Sequence, residues 1–534
     1  MVLRSTTDIV NALVAKGVLT EEEGSLLTKG RDGEVAGAAK KPQIKEKDGA
    51  FSLSTADGKN SVALTGRVHF DAKYNNVDPS DLFTSGNTIS NNDSDSKSMG
   101  SHFNMRRARL GVKGRVGGVA DYEIVGNFAG TPGVDVAYVD INKYEPLGFM
   151  FGKFKVAPNL EIKTSSNNID MIERSYVSQN QPEKRFGAAL HGEVKGLTYF
   201  GSLFQNNDSA LSMEDHKVAT AGRATINFAE FMDNKDVILH AGLNGYSSNY
   251  QLLGTVTNNQ NSGDLQTRAT LFGFQSGGQG VSNAYRAQIN DVTLTNSLTA
   301  PTNTWGSPSA NAMNAHADNV GLEGIAAYKN FKLQGEYSSA FYKAVNNSGS
   351  DSISADVDTW YGEALWILTG ENYADAYKKG AMGALKPKNN FDFENGSGTG
   401  LVELGFRVDA FDVSNTQLKT AAARDTRFQG ATNNNITGTN SGYGDTCSAA
   451  GAGGSAGSGS TTGAGCGGGA ISYTASLKWV WNPNLLWKLN YTHTSFDNAF
   501  APIDIGSSTD RKTAPRVNLV DSEDLLMLRG QFMF

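Results

Sequence analysis

The chain has 534 residues, of which 39% are hydrophobic and 19% charged, and its formal net charge is −7. No run of eighteen apolar residues occurs, which excludes a transmembrane helix, and the negative charge gives no reason to expect nucleic-acid binding. A low hydrophobic fraction does not exclude a membrane-spanning β-barrel, because each strand of such a barrel turns half of its side chains towards water.

The first thirty residues predict a short helical extension. An apolar stripe runs along the first predicted helix and comprises Ile9, Val10, Leu13 and Val14. Gly17 ends this helix, and Thr20 offers an N-cap for a second one with Glu23 three residues later. The extension forms either a short coiled coil with copies of itself or an amphipathic tail, and both alternatives stay open. Because the start lacks the apolar core of a secretory signal, the numbering is interpreted as that of the mature chain.

From residue 61 onwards, apolar and polar residues alternate with a period of two. In the segment 105–113, for example, Ala108, Leu110 and Val112 share one face, whereas Arg107 and Arg109 share the other. About sixteen strands are predicted: 61–74, 106–116, 121–129, 134–144, 148–156, 185–195, 197–205, 218–228, 237–246, 319–328, 331–343, 357–368, 401–413, 471–481, 485–496 and 521–534. The pattern predicts an all-β, antiparallel, membrane-spanning barrel.

The connections between these strands alternate between short and long. Tight turns at 117–118, 195–196 and 329–330 alternate with long polar segments, which is the pattern of outer-membrane barrels. One long connection, 372–400, lies on the side of the short turns and has no explanation in the sequence. Another, 157–183, is a polar insertion between two strands, and loops of that length are usually functional or disordered.

Two features of the last three predicted strands are typical of the C-terminal part of an outer-membrane barrel. The last predicted strand finishes on an aromatic residue, Phe534. Around the tight turn at 482–484, Trp479, Trp481 and Trp487 cluster as expected of an aromatic girdle at a membrane interface.

Several short motifs occur in order over roughly residues 60–534: RRARLGV at 106–112, AYVD at 137–140, GKFK at 152–155, ERS at 173–175, FGAAL at 186–190, LQGEY at 333–337, WILTGE at 366–371 and NPN at 482–484. Together they resemble the phosphate-selective porin O and P family of Gram-negative outer-membrane porins. The resemblance implies a homotrimeric barrel in contact with outer-membrane lipid and lipopolysaccharide. It also implies that the insertion at 157–183 folds into the lumen and sets the aperture.

The pattern and composition of the sequence predict a division of the chain into three parts. Residues 1–30 are expected to form a periplasmic helical extension, 31–60 a linker, and 61–534 the barrel. The long loops are then extracellular.

Basic side chains on the predicted inner face are the candidates for attracting anions. They are Arg67, Arg106, Arg107, Arg109, Lys113, Lys153, Lys155, Arg185 and Arg223, with Arg529 on the last strand. Cations that line a narrow pore with low-dielectric walls attract anions. The resemblance matches Arg106 and Arg107 to the paired arginines of the family, although a regular pleat turns only one of two neighbours fully inward.

Acidic residues on the same faces leave the selectivity open. In the insertion, Glu161, Asp170 and Glu173 offset Lys163 and Arg174. Further predicted inner-wall acids are Asp121, Glu123, Glu336, Glu363, Glu403 and Asp409. The sequence thus predicts a porin for small hydrophilic solutes, either anion-preferring, for phosphate or dicarboxylates, or unselective. A barrel scaffold that presents surface loops is the alternative from another class.

No catalytic arrangement, cofactor motif or metal-ligand spacing is found in the sequence, so the chain is not predicted to be an enzyme. The Gly-rich segment 442–469 is interpreted as a low-complexity loop. It contains the two cysteines, Cys447 and Cys466, which are predicted to form a disulfide in an oxidising compartment.

Overall fold

A computed structural model describes fourteen stretches of the chain. They are residues 6–38, 42–47, 50–77, 101–130, 132–156, 158–206, 218–252, 270–280, 285–288, 313–346, 352–419, 428–429, 466–500 and 520–534.

The chain begins with two helices, α1 (Thr6–Ala15) and α2 (Glu21–Ala38). The predicted capping box precedes α2: the Thr20 amide donates to the Glu23 carboxylate at 2.8 Å, and the Glu23 amide donates to the Thr20 hydroxyl at 3.2 Å. Among the described residues, no helix is both long and apolar enough to span a membrane.

The predicted linker at 31–60 differs from what the structure shows. Helix α2 continues to Ala38 because no proline interrupts the chain before Pro42. Strands β1 (Gln43–Lys47) and β2 (Ala50–Ser54) then form a hairpin. In β2, Phe51 and Leu53 alternate with serines, and the strand pairs with the first barrel strand at Ser52 and Ala63. The hairpin thus extends the sheet of the barrel towards the N-terminus.

The remaining strands follow in chain order: β3 (Ser61–Asn75), β4 (His102–Val116), β5 (Ala120–Asn127), β6 (Gly133–Ile141), β7 (Gly148–Lys155), β8 (Lys184–Val194), β9 (Leu197–Gln205), β10 (Val218–Asn227), β11 (Val237–Leu252), β12 (Thr270–Phe274), β13 (Tyr285–Gln288), β14 (Met313–Tyr328), β15 (Phe331–Asn346), β16 (Ser352–Ile367), β17 (Tyr377–Lys378), β18 (Ala381–Met382), β19 (Leu401–Lys419), β20 (Phe428–Gln429), β21 (Cys466–Asn482), β22 (Leu485–Phe500) and β23 (Val520–Met533).

Sixteen of these strands form a closed antiparallel barrel. The wall comprises β3–β11, β14–β16, β19 and β21–β23, and each strand pairs with its neighbour along the chain. The last strand returns to the first, with Phe532 opposite Val68, which closes the barrel. The predicted fold is therefore confirmed.

The two ends of the barrel differ in their connections. One end, called here the turn end, carries two-residue turns such as 195–196 and 329–330, where Lys195, Gly196 and Lys329 adopt positive φ angles. Such turns match the twist of paired strands. The other end, called here the loop end, carries the long connections, including the insertion between β7 and β8.

The wall has an apolar outer face and a polar inner face. Leu110, Leu243 and Leu322 point outward and are 47%, 60% and 55% exposed, whereas Lys332 and Arg529 point inward and are fully buried. The wall is also uneven in height, because β5, β6 and β7 have eight or nine residues while β14, β15 and β16 have sixteen.

The predicted aromatic cluster lies on the wall at the turn end. Trp479, Trp481 and Trp487 pack in sequence, with ring centroids 5.1 and 5.8 Å apart. The long connection after β16 also reaches this point, since Phe391 and Phe393 pack on Trp481 at 5.5 and 4.5 Å.

We expect Leu110→Arg to destabilise the barrel by about 2 to 4 kcal/mol, because the substitution places a charge on the outward face near the middle of β4. Urea-induced unfolding of the protein in lipid bilayers measures the effect. Leu110→Met is the matched control and should change the midpoint little; equal tolerance of both would contradict the assigned faces.

Candidate functional site

The insertion between β7 and β8 is described at residue 156 and over residues 158–183. It folds into the lumen and carries two short helices, α3 (Leu160–Lys163) and α4 (Tyr176–Gln179). Asn159 caps α3 by accepting from the Ile162 amide at 2.8 Å. The Leu160 and Glu161 amides donate to the carboxylate of Glu336 on β15, at 3.0 and 2.8 Å. The side chain of a wall residue thus accepts from the first two amides of this helix, which have no partner within the helix itself.

Two of the four acidic side chains of the insertion, Asp170 and Glu173, form ion pairs with the wall. Asp170 pairs with Lys332 at 2.7 Å and with Lys478 at 3.4 Å. Glu173 pairs with Arg106 at 2.8 Å and with Arg529 at 2.6 Å. Both carboxylates are buried, so these acids anchor the insertion instead of lining the open lumen.

Glu161 is the third buried acid, and it holds the insertion to itself as well as to the wall. It accepts from the hydroxyls of Ser175 and Ser178 at 2.8 and 2.7 Å, and it lies 3.6 Å from Arg407. Tyr361 donates at 2.9 Å to Glu336, the wall residue below α3. The serines and the arginine satisfy the buried carboxylate.

Wall cations also bind backbone carbonyls of the insertion. Arg529 donates to the Ile172 carbonyl at 2.6 Å, Arg407 to the Glu173 carbonyl at 3.0 Å, and Lys488 to the Met171 carbonyl at 3.2 Å. The insertion is therefore fixed against β19, β22 and β23 by charge-assisted hydrogen bonds, which are stronger than neutral ones.

The opposite side of the insertion faces β3 to β8 and carries a different set of charges. We call the basic cluster the five cations Arg67, Arg109, Lys155, Arg174 and Lys184, which surround Asp135 and Glu183. Asp135 lies 2.9 Å from Arg109 and 2.5 Å from Lys184. Glu183 lies 3.4 Å from Arg174 and 3.9 Å from Lys155.

The basic cluster has more positive than negative charge. Burial opposes ionisation of Glu183, but Arg174, Lys184 and Lys155 outweigh it and hold the pKa of this carboxyl well below its usual range. Arg67 reaches no carboxylate in the described structure and donates to Ser165 and Ser166 at 3.4 and 3.1 Å. Five cations thus share two carboxylates beside the insertion.

Arg106 and Arg107 both face the lumen, so the prediction that only one of them turns inward was wrong. A β-bulge causes this: His69 of β3 lies opposite Arg107, whereas the next residue, Phe70, lies opposite Met105, which leaves Arg106 as the extra residue. Arg106 binds Glu173, and a guanidinium nitrogen of Arg107 lies 3.5 Å from the His69 ring.

The other predicted basic residues are spread through the lumen. Lys113 is exposed, opposite Glu123 on β5. Lys153 donates to the Val134 carbonyl at 2.9 Å, and Arg185 to the Lys184 carbonyl at 2.8 Å.

Two predicted cations have more specific contacts. The Lys163 ammonium lies 5.6 Å from the ring centre of Phe200. Arg223 pairs with Glu323 at 2.5 Å and donates to the Gly380 carbonyl at 2.5 Å.

Sequence reasoning missed Asp135, Glu183 and Lys184, which complete the basic cluster. The sequence contained only a weak indication of the first two, since Glu183 and Lys184 directly precede the predicted inner-face residue Arg185. Asp135 was missed because it lies on a bulge of β6, where the alternation of inward and outward residues breaks. The predicted disulfide was not tested, because Cys447 lies outside the described residues.

A segment of the long connection between β11 and β14 enters the lumen from the loop end. Within residues 270–280, Gln279 donates to Asp71 at 2.7 Å and to Glu173 at 2.9 Å, and its carbonyl accepts from Lys73 at 2.7 Å. Phe274 stacks on Phe411 with ring centres 4.2 Å apart. This segment covers the insertion.

The long connection after β16 enters from the turn end, which explains its length. Tyr373 donates to Glu403 at 2.9 Å, and the Tyr377 hydroxyl lies 2.7 Å from a ring nitrogen of His240. Tyr373, Ala376 and Met382 are buried among wall residues. The lumen is thus narrowed from both ends as well as by the insertion.

Across the described stretches, no group of three His, Cys, Asp or Glu side chains is arranged to hold a metal ion.

We expect Asp170→Ala to loosen the insertion, because it leaves Lys332 buried without the carboxylate that lies 2.7 Å away and leaves Lys478 paired with Glu403 alone. Breaking a buried pair of this kind costs about 3 to 5 kcal/mol. In planar bilayers the variant should show a larger and noisier single-channel conductance. Asn168→Ala, an uncharged half-buried residue on the same insertion, is the control; unchanged conductance in Asp170→Ala would contradict the anchoring role.

Comparison with known families gives one match. The model described as phosphate-selective porin O and P matches residues 85–534. A search of curated proteins found no match.

Three solved structures illustrate what the chain resembles. OmpT, an outer membrane protein of Vibrio cholerae, is 10% identical, with 92% of this chain and 100% of that chain covered and a TM-score of 0.43. The anion-selective porin from Comamonas acidovorans is 11% identical, with 89% and 100% covered and a TM-score of 0.42. The outer membrane channel DcaP of Acinetobacter baumannii is 12% identical, with 89% and 97% covered and a TM-score of 0.39.

Proposed function

Because the chain belongs to the phosphate-selective porin O and P family, we propose that it is an outer-membrane porin that lets small hydrophilic anions diffuse past the basic cluster. Family membership indicates a channel and not an enzyme. The observation that carries the anion preference is the group of five cations around Asp135 and Glu183, beside the insertion that narrows the lumen.

The physical basis of the preference is uncompensated charge in a narrow space. The three guanidinium groups of the basic cluster, on Arg67, Arg109 and Arg174, already outnumber the carboxylates of Asp135 and Glu183, and the two lysines add to this excess when they are protonated. Low-dielectric walls concentrate the field of such a cluster and raise the local concentration of anions. The guanidinium groups of Arg67, Arg109 and Arg174 also match the oxygens of phosphate and carboxylate.

Three acidic side chains of the insertion are buried against the barrel wall, and this favours an anion-preferring channel over an unselective pore. A balanced aperture needs as many acidic as basic side chains on the free face of the insertion, and of its four acids only Glu183 lies there, beside Arg174, Lys155 and Lys184. Glu161, Asp170 and Glu173 are instead 5%, 7% and 6% exposed and bound to wall residues. Their charges are compensated where they lie, so they do not offset Arg174.

The proposed solutes are phosphate, dicarboxylates and anions of similar size. Both classes present two or more oxygens to the cations, and the basic cluster has guanidinium as well as ammonium groups for them. Passage needs no energy source in this proposal, since the solute follows its concentration gradient.

The short strands β5, β6 and β7 form a part of the barrel wall that is lower than the rest, and this low wall supports the proposal of a homotrimer. Eight residues of β5 extend ~26 Å, and a strand tilt of ~40° leaves roughly 20 Å, less than the ~25 Å apolar band of an outer-membrane barrel. Ile124 and Phe151 on this low wall are nonetheless exposed. We propose that neighbouring copies cover it, that lipid and lipopolysaccharide surround the taller strands, and that the turn end faces the periplasm.

Removing cations from the basic cluster should reduce anion selectivity. We expect Arg67→Ala and Arg109→Ala each to move the reversal potential in a salt gradient towards zero, and the double variant to move it further, because the excess charge falls stepwise. Lys343→Ala is the control, since Lys343 is exposed on the outer face of β15.

The bilayer recording also tests the function as a whole. Well-folded protein that conducts no ions would contradict the channel and favour a barrel scaffold. A reversal potential near zero in the unmodified protein would contradict the anion preference.

Anion selectivity should fall between pH 7 and pH 9. Burial, together with Arg223 and Lys379, lowers the pKa of Lys163 to about 8, so this ammonium is charged below that pH and neutral above it. Reversal potentials measured at pH 7 and 9 should differ less in Lys163→Gln than in the unmodified protein. An identical pH response in the two proteins would show that Lys163 does not contribute.

A further inference from the structure

Glu183 lies among three cations of the basic cluster, and each of them is at a long distance from its carboxylate. Arg174, Lys155 and Lys184 lie 3.4, 3.9 and 4.0 Å away. Charge-assisted hydrogen bonds between such groups are about 2.7 to 2.9 Å long. Among the described residues, none donates a hydrogen bond to this carboxylate. Glu183 is therefore attracted by three charges but has no directed bond to any of them.

The three cations have closer partners elsewhere. Arg174 and Lys155 donate to backbone carbonyls of the insertion at 3.0 and 2.7 Å, and Lys184 donates to Asp135 at 2.5 Å. These contacts hold the cations in place without Glu183. The space between them therefore stays positive when the Glu183 side chain moves away.

Asp135, the other carboxylate of the basic cluster, is held in a different way. It lies 2.5 Å from Lys184 and 2.9 Å from Arg109, and its side chain is 11% exposed. The side chain of Glu183 is 35% exposed. Asp135 is thus a fixed part of the basic cluster, whereas the carboxylate of Glu183 is accessible from the lumen.

The geometry around Glu183 is that of an anion site that already holds a carboxylate. A diffusing phosphate or carboxylate is attracted to the same three cations, and it is free to adopt the short contacts that the Glu183 side chain does not make. Ion pairs that are partly exposed and lack ideal geometry contribute little to stability. Moving the Glu183 carboxylate aside is therefore only weakly opposed.

We propose that Glu183 is a tethered counterion, whose carboxylate occupies an anion site and is displaced when a diffusing oxyanion binds there. Arg174, Lys155 and Lys184 form the site, and its ligands are phosphate and carboxylates, whose oxygens replace those of Glu183. The inference rests on the proposed function and deepens it, because it locates one binding site within the basic cluster and names the residue that regulates it.

A tethered counterion prevents the solute from being held too tightly. Conduction requires a site that attracts an ion and also lets it leave. When the solute moves on, the Glu183 carboxylate returns to the three cations and compensates their charge. Glu183 thus competes with the solute for the site, which lowers the affinity and shortens the time for which the solute stays.

Block of the chloride current in planar bilayers tests the proposal on the full-length protein. Inorganic phosphate and succinate are titrated separately, and the concentration that halves the current is measured for each. In Glu183→Gln we expect this concentration to fall about tenfold or more for both probes, because the anion no longer competes with a carboxylate. An unchanged value would overturn the proposal.

Two further variants separate competition from net charge. Glu183→Asp keeps the charge of the basic cluster but shortens the side chain by one methylene, which moves the carboxylate away from the three cations. We expect its half-blocking concentration to fall about threefold. Glu123→Gln is the matched control, since it removes the same charge from the inner wall outside the basic cluster, where Glu123 accepts from the Tyr138 hydroxyl at 2.9 Å. It should change the half-blocking concentration by less than about twofold.

The outcomes distinguish this inference from the proposed function. If the block of Glu183→Asp equals that of the unmodified protein, or if Glu123→Gln has as large an effect as Glu183→Gln, net charge alone sets the affinity and the tethered counterion is wrong. The reversal potential is measured in the same recordings. A value that shows anion preference, combined with such a result, would leave the proposed function standing. A value near zero in the unmodified protein would contradict the proposed function, and the inference with it.

Discussion

The organisation of the lumen depends on the requirement that a buried charge be paired. The insertion buries three carboxylates, and each of them has to meet a cation or a set of donors on the wall. Lys332 and Lys478 meet Asp170, and Arg106 and Arg529 meet Glu173. Once these pairs are formed, one face of the insertion is neutralised against the wall, and its other face is left with a surplus of positive charge.

The lumen is consequently divided into two regions. From β14 round to β3, the insertion and the segments that enter from both ends pack on the wall and fill the space. From β4 to β8, the charged side chains remain partly exposed, with Lys155 and Arg109 retaining 24% and 12% of their surface. The same residue types thus have structural roles in one region and are available to solutes in the other.

The barrel could be predicted from the sequence because nearly every strand alternates apolar and polar residues with a period of two. This alternation can be recognised within each strand, without knowing which distant residues it contacts. The division of the lumen could not be predicted, since it depends on contacts such as Asp170 with Lys478, 308 positions apart. The bulge at Arg106 was missed for another reason. One extra residue reverses the alternation, and the sequence alone does not show where it is inserted.

The pairing of the first barrel strand, β3, with the last, β23, forms a closing seam that constrains the order in which the barrel can assemble. Asp71 and Arg529 meet across this seam as a fully buried ion pair, although 458 positions separate them. The barrel can close only when the C-terminal strand is present, so β3 keeps an unpaired edge for the whole period of synthesis and export. Contacts between such distant parts of a chain form slowly, and open strand edges promote aggregation. Until the final strand arrives, this open edge of β3 is therefore the part of the wall at which aggregation is favoured.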